Sequence, residues 1–263
     1  MTIVLIAMAL YLASVGLLVA GVRHGPDPRP PKAWLWAAVP AVVLHALVHG
    51  LTWQAHGGAD LHFYAALSLV TLGMTTLTTA VGANGRMAAL GVVVYPVAIL
   101  ALLGYHLYGQ LEPEALDWRL QLHAWLALLA YATLAIAALL AVMLWMQDRA
   151  LRRRQYHAWL RALPPLVQLE TLLFRTIAVG FVLLSAALLT GVLFVENLLA
   201  QHLVHKTVLS ILSWLAFGLL LLGRRVRGWR GSTAIRWTLV AMALLVLAFF
   251  GSKFVLELVL GHG

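Results

Sequence analysis

The sequence predicts an all-α polytopic membrane protein: a bundle of eight transmembrane helices with both termini on the outer, periplasmic side. Three observations predict this class. The 263 residues are 63% hydrophobic and only 10% charged, and their mean hydropathy is +0.92. That composition is typical of membrane-spanning helices and would be abnormal for a soluble domain. The chain also contains eight apolar runs of spanning length, and its basic residues fall in alternate loops.

Each apolar run is interpreted as one crossing, because about 20 helical residues span the hydrocarbon core of a bilayer. The first run has no basic n-region and no small-residue cleavage site, so we expect a retained helix rather than a signal peptide. The sixth run follows Pro164-Pro165 and exceeds one crossing, so it should tilt or end outside the membrane. The predicted spans are 2–22, 34–54, 62–82, 87–109, 120–146, 166–198, 206–223 and 235–260.

The loops between these spans are short, and the chain shows no linker, no soluble domain and no convincing internal repeat. We therefore predict a single integral membrane domain over residues 1–263. The lack of a repeat argues against a transporter built from inverted halves.

Arginine and lysine predict the orientation. The connections after the first, third, fifth and seventh runs carry the basic residues, whereas the other connections carry almost none. The positive-inside rule places the basic loops in the cytoplasm and both termini outside. The net charge of +9 therefore indicates contact with the lipid surface and no nucleic-acid partner. The absence of cysteine excludes disulfides, thiol redox chemistry and iron–sulfur ligation by this chain.

The histidines collect on one side of this predicted topology. Only His24 and His157 of the eleven are predicted to be cytoplasmic. Imidazole clustered in this way indicates a metal centre or haem. The nine histidines predicted to lie on the outer side are His45, His49, His56, His62, His106, His123, His202, His205 and His262.

Two of these histidines should share a helix face. His45 and His49 are four residues apart near the predicted outer end of the second helix, so both rings can point into one interior site. The alternative is that one ring caps a polar cluster while the other faces lipid headgroups. Ionisable groups inside a membrane are costly and usually face a site, so we expect at least one of the two to be functional.

The remaining candidates flank other spans. His123 begins the fifth span with Trp125 nearby, and the alternative is that both are simply interfacial. His205 is a candidate axial ligand and Lys206 a candidate partner of a haem propionate. Alternatively, Lys206 reaches the outer headgroups.

Two charged pairs and one turn favour structural roles. Lys253 and Glu257, four apart in the eighth span, should pair along the helix, and Glu170 with Arg175 should form a packing or interface pair. Trp229 lies between two glycines in a tight cytoplasmic turn. No glycine-rich phosphate loop, His-Glu-x-x-His motif or nucleophile elbow is present.

Several segments form a recognisable pattern: His123 with Tyr131, Leu163-Pro164-Pro165-Leu166-Val167-Gln168-Leu169-Glu170, Phe174-Arg175, Gly180-Phe181, Leu184, Thr190-Gly191, His205 to Trp214, and Gly228-Trp229-Arg230-Gly231. Together they resemble the CcsA-like cytochrome c assembly family, most closely its YpjD-type and HemX-like inner-membrane branch. The resemblance covers roughly residues 40–260 and is best over 120–255.

The resemblance implies a bacterial multi-pass inner-membrane protein that handles haem on the outer face. It implies that His123 corresponds to the first outer haem ligand and that His45 or His49 corresponds to a histidine within the membrane. The tryptophan-rich segment of the synthetase members is absent, since residues 203–206 read Leu-Val-His-Lys. Leu222 stands where a histidine is expected, and the second outer histidine has no clear equivalent unless His205 or His262 substitutes.

We therefore expect a haem b protein of cytochrome c assembly without full synthetase activity and without independent catalysis. Its iron should be held by His123 together with His205 or His45. The expected partners are membrane lipid, haem, and other cytochrome c assembly or membrane proteins. One alternative is an accessory or scaffold subunit without haem that regulates a membrane partner such as a transporter. A small-ion or metabolite transporter, with a polar path near Lys253 and Glu257, is a third hypothesis.

Overall fold

The computed structural model describes residues 1–24, 32–56, 60–83, 86–109, 117–154, 164–194, 201–252 and 254. Within those ranges the chain is helical without strands, and eight helices are long and apolar enough to cross a membrane. The predicted fold class is thereby confirmed, whereas the outward position of both termini stays a prediction. The helices are α1 (Thr2–His24), α2 (Ala33–His56), α3 (Phe63–Gly82), α4 (Gly91–Tyr108), α5 (Trp118–Arg152), α6 (Leu166–Phe194), α7 (Gln201–Arg227) and α8 (Gly231–Val246).

The longest helix is α5 rather than α6. The 29 residues of α6 exceed one crossing, as predicted, but α5 has 35. At 1.5 Å per residue α5 is about 52 Å long, well beyond the roughly 30 Å hydrocarbon core. Its last turns are polar and contain an ion pair between Asp148 and Arg152, 2.9 Å apart. The predicted span, which was taken from hydropathy, therefore ends before the helix itself, because the last turns of α5 are polar.

The turn between α7 and α8 has the tight geometry that its two glycines predict. Gly228 and Gly231 have φ values of +65° and +53°, a region that disfavours residues with a Cβ atom. The backbone nitrogen of Trp229 donates to the carbonyl of Gly223 across 3.2 Å. The Trp229 ring stacks on Trp237 of α8, with centroids 5.9 Å apart. Trp229 therefore closes the turn against α8.

The described residues divide into two compact units. The first is Met1–Ala115 with Arg154–Pro165, and the second is Leu116–Arg153 with Leu166–Gly263. The single integral domain over 1–263 stays a prediction.

In the first unit, α1 packs on α2 and α4, and α3 packs on α4 and α2. Its core combines the rings of Tyr11, Trp34 and Tyr95 with small residues. Ala38 and Ala98 are both fully buried there. Small side chains let membrane helices approach closely.

In the second unit, α5 packs on α6 and α8, and α7 packs on α6 and α8. Leu134, Leu169, Leu173 and Ile177 are fully buried between these helices. Gly180 of α6 permits the α5–α6 contact, because a Cβ atom there would lie 2.5 Å from Cδ2 of Leu134.

The start of α6 corrects the predicted pair of Glu170 and Arg175. The buried carboxylate of Glu170 instead accepts from Arg224 of α7 across 3.1 Å and from Arg230 across 2.8 Å. Residues five apart on a helix point to different faces, so Arg175 is exposed away from Glu170. The hydrogen bonds and charge of Glu170 raise the pKa of Arg230 above its ordinary value.

Candidate functional site

The two histidines of α2 do share one helix face. The ring centroids of His45 and His49 are 5.7 Å apart. His45 is fully buried and lies midway along α2, about 16 Å from the helix end at His56, deeper than its predicted position. His49 lies one turn nearer that end and is partly buried. The pair is therefore inside the first unit.

Both imidazoles contact the same serine of α3. Nε2 of His45 and Nε2 of His49 each lie 2.9 Å from Oγ of Ser68. Nδ1 of His45 lies 3.2 Å from the hydroxyl of Tyr11 in α1, which donates across 3.1 Å to Oγ1 of Thr75 in α3. Residues from three helices thus form one buried hydrogen-bonded chain. This arrangement differs from the alternative in which one ring faces the headgroups.

Aromatic rings line this chain on both sides. Tyr105 stacks on His49 with centroids 4.6 Å apart and donates from its hydroxyl to Thr52 across 3.2 Å. Tyr95 stacks on Tyr11 at 5.4 Å. Such stacking fixes the planes of the rings and so the directions of their polar atoms.

The α3 face that meets these rings is a stripe of buried hydroxyl side chains. Apart from the adjacent Thr78 and Thr79, successive members are three or four residues apart, the spacing that places residues on one face of a helix. This pattern is visible in the sequence, but only interhelical packing connects it to the histidines. The buried members are Ser68, Thr71, Thr75, Thr78 and Thr79.

His62 has a different, local role at the start of α3. Its backbone nitrogen and its Nδ1 both donate to Oδ1 of the buried Asp60, across 2.9 and 2.8 Å. His62 is the N-cap residue of α3, so these bonds hold the turn that leads into the helix. The imidazole of His62 is therefore bound by a residue of the same turn, Asp60.

In the second unit, His123 of α5 lies against α6. Nδ1 of its ring is 2.9 Å from the backbone carbonyl of Ala187 and 3.4 Å from Oγ1 of Thr190. Because a carbonyl can only accept, Nδ1 carries the proton and Nε2 keeps the lone pair in the neutral ring. A ring held through one N–H by a carbonyl, with its other nitrogen basic, is the arrangement of metal-ligating histidines.

Gly191 makes room for that ring. A Cβ atom at this position would lie 3.0 Å from Cε1 of His123. Even the Cβ atom of an alanine at residue 191 would therefore require the imidazole or the helix to shift by a few tenths of an ångström. The Thr190-Gly191 pair that contributed to the family resemblance thus has a physical role beside His123.

The other predicted residues of the second unit lie at the start of α7. The side chain of His205 is exposed, and that of Lys206 is partly exposed. Within the described ranges no hydrogen bond or ring contact joins His205 to His123. Lys253, Glu257 and His262 lie outside the described residues.

Among the described residues, no three His, Cys, Asp or Glu side chains gather into a metal-binding group. Haem iron takes four nitrogens from the porphyrin and needs one or two axial side chains. The described residues define a polytopic helical membrane protein with separate, oriented imidazole donors.

The family follows from comparison with known proteins. The model of the cytochrome c assembly protein family matches residues 35–260, and the chain belongs to this family. It is 30% identical to the inner membrane protein YpjD of Escherichia coli K12, over 97% of this chain and 98% of that protein. The predicted family and the multi-pass inner-membrane location are thereby confirmed.

Two further relatives match about half of the chain. An uncharacterized 28.8 kDa protein of Azospirillum brasilense is 35% identical over 54% of this chain and 53% of its own length. The protein HemX of Brevibacillus brevis is 27% identical over 49% of this chain and 48% of its own length. No solved structure matches the chain.

Proposed function

We propose that this protein binds haem b through Nε2 of His123 and handles haem in cytochrome c assembly, without independent catalysis. The observation that carries the proposal is the bond from Nδ1 of His123 to the carbonyl of Ala187. This bond fixes the tautomer whose free nitrogen can ligate iron. The membership of the family supplies the class of ligand.

The residues present fit a non-covalently held haem. The chain has no cysteine, so no thioether link to this protein can form, and a haem held without covalent links, such as haem b, is compatible. His123 would supply one axial nitrogen and His205, in the same unit, the second, while His49 is the candidate ligand of the first unit. Lys206 would pair with a propionate. Bound haem would supply redox or carrier chemistry, while this chain orients the imidazole and excludes water.

The test is an optical spectrum of the detergent-purified protein, oxidised and dithionite-reduced, with a pyridine haemochrome assay. We expect a Soret band and sharp reduced α and β bands after haem is added, both lost in His123→Ala. The matched control is His106→Ala, which removes another partly buried histidine near the end of α4. A wild-type Soret band no stronger than that of His123→Ala would refute the proposal.

A second candidate is a haem-free accessory or scaffold subunit that regulates a membrane partner. The observation in its favour is Leu203-Val204-His205-Lys206 in place of the tryptophan-rich segment of synthetase members. Under this hypothesis the helix surfaces matter and the histidines are dispensable. Simultaneous alanine substitution of His45, His123 and His205 would then leave the cellular phenotype of the protein intact, whereas the haem hypothesis predicts its loss.

A further inference from the structure

The hydrogen-bonded chain of the first unit has a direction. It contains four links between heavy atoms of five side chains. From one end to the other these links run from His49 to Ser68, from Ser68 to His45, from His45 to Tyr11 and from Tyr11 to Thr75. Each hydroxyl in the chain has a single proton and can donate only once. Which atom donates in the link at one end therefore determines which atom donates in every other link.

The direction is set at Thr75. Its hydroxyl lies 2.9 Å from the carbonyl oxygen of Leu72, which can only accept. The same carbonyl also accepts from Thr76 across 2.8 Å. Because the hydroxyl of Thr75 donates its proton to that carbonyl, its oxygen accepts from the hydroxyl of Tyr11. The Tyr11 hydroxyl thus donates to Thr75, so its oxygen accepts from Nδ1–H of His45.

The remaining links assign both imidazoles. A neutral His45 that is protonated on Nδ1 has its lone pair on Nε2, so Nε2 accepts from Ser68. Ser68 has no second proton, so Nε2–H of His49 donates to the serine oxygen. The two rings are therefore opposite tautomers. Both ring nitrogens of His45 form hydrogen bonds within the chain, whereas the lone pair on Nδ1 of His49 takes part in none of its links.

We propose that the chain from Thr75 through Tyr11 and His45 fixes the tautomer of His49, so that Nδ1 of His49 is the one ring nitrogen of the pair whose lone pair accepts no hydrogen bond within the chain. His45 is then a positioning residue, which transmits the direction set on α1 and α3 to His49. The use of that nitrogen as an iron ligand rests on the proposed function. The tautomers themselves do not.

The chain sets a tautomer and does not conduct protons across the described part of the unit. A proton that entered at His49 and moved along the hydroxyls would stop at Thr75, because the next atom is a backbone carbonyl without an exchangeable proton. Tyr95 and Thr79 form a separate bond of 3.0 Å one turn further along α3, towards its end at Gly82.

The test is ¹⁵N and ¹³C magnetic resonance of the haem-free, full-length protein with labelled histidine, in detergent at neutral pH. Signals are assigned from their loss in His45→Gln and His49→Gln. We expect His45 to be protonated on Nδ1 and His49 on Nε2. The same tautomer at both positions, or His45 protonated on Nε2, would overturn the proposal.

Two variants test the transmission. Tyr11→Phe keeps the ring but removes the acceptor of His45, so His49 should change from one tautomer to a mixture. Tyr95→Phe is the matched control: it removes a buried tyrosine hydroxyl beside the chain and should leave both signals unchanged. Ser68→Ala severs the link directly and covers the case in which Tyr11→Phe does not fold. A fixed His49 tautomer in Ser68→Ala would refute the transmission.

The two proposals fail separately. In protein that binds haem, Tyr11→Phe should weaken haem retention several-fold if His49 is an axial ligand, and Tyr95→Phe should match wild type. Equal retention in the two variants would overturn the role of His49 as ligand. If His45 and His49 are opposite tautomers in a protein that takes up no haem, the proposed function is refuted and the proposed tautomers are supported.

Discussion

In the first unit His45 is held by the side chains of Tyr11 and Ser68, whereas in the second unit His123 is held by the backbone carbonyl of Ala187. Each link of the first arrangement joins two side chains and can be removed by a substitution, so its direction depends on every member of the network. A carbonyl has one role and cannot be replaced by mutation. The second site is therefore fixed by a backbone carbonyl and by the space left at Gly191, and the first by hydrogen bonds between side chains.

The largest effect is expected where shape is decisive. Gly191→Leu should displace the His123 ring, lower the free energy of unfolding by roughly 2–4 kcal/mol through overpacking and a lost hydrogen bond, and reduce the haem-dependent Soret band to the His123→Ala level. Unfolding in mixed micelles and optical spectra measure the two effects. Gly50→Leu is the control, because a Cβ atom at Gly50 meets nothing within 4 Å. Equal effects at both glycines would show that the close approach at His123 does not matter.

A smaller loss is expected where hydrogen bonding is decisive. Ser68→Ala removes one partner from each of His45 and His49 and should lower the free energy of unfolding by about 1–2 kcal/mol, since interhelical bonds in membranes are individually modest. The same micelle titration measures it. Thr76→Ala, an exposed hydroxyl on the same helix, should stay within about 0.5 kcal/mol of wild type. If the free energy of unfolding of Ser68→Ala equals that of wild type, the hydrogen bonds of Ser68 do not stabilise the first unit, and the buried chain loses its support.

The smallest effect is expected at Thr190. Its hydroxyl is 3.4 Å from Nδ1 of His123, and the carbonyl of Ala187 is nearer. Thr190→Val keeps the side-chain shape and should change stability by less than about 0.5 kcal/mol, with the haem spectrum unaltered. A loss as large as that of Ser68→Ala would mean that the hydroxyl, and not the carbonyl, holds His123, and the contrast between the units would disappear.

Hydropathy and local spacing predicted the spans and the shared face of His45 and His49, because both are properties of neighbours along one helix. Interhelical partners have no such local pattern. Glu170 pairs with residues 54 and 60 positions away, so its neighbour Arg175 was the wrong choice. Ser68 and Tyr11 were missed for the same reason, although the hydroxyl stripe of α3 was there to be recognised. Whether His123, His205, His45, His49 or Lys206 contacts haem stays a prediction.

The length of α5 has a consequence for the surrounding lipid. Trp118 and Trp145 are exposed on this helix, 62% and 49% accessible, and an arginine lies over each ring. Their separation of 27 positions corresponds to about 40 Å, close to the distance between the two headgroup layers of a bilayer. Tryptophan prefers those layers. The distance between the two tryptophans thus matches one bilayer thickness. In a bilayer of shorter acyl chains, either the lipid around α5 must thicken or the helix must tilt.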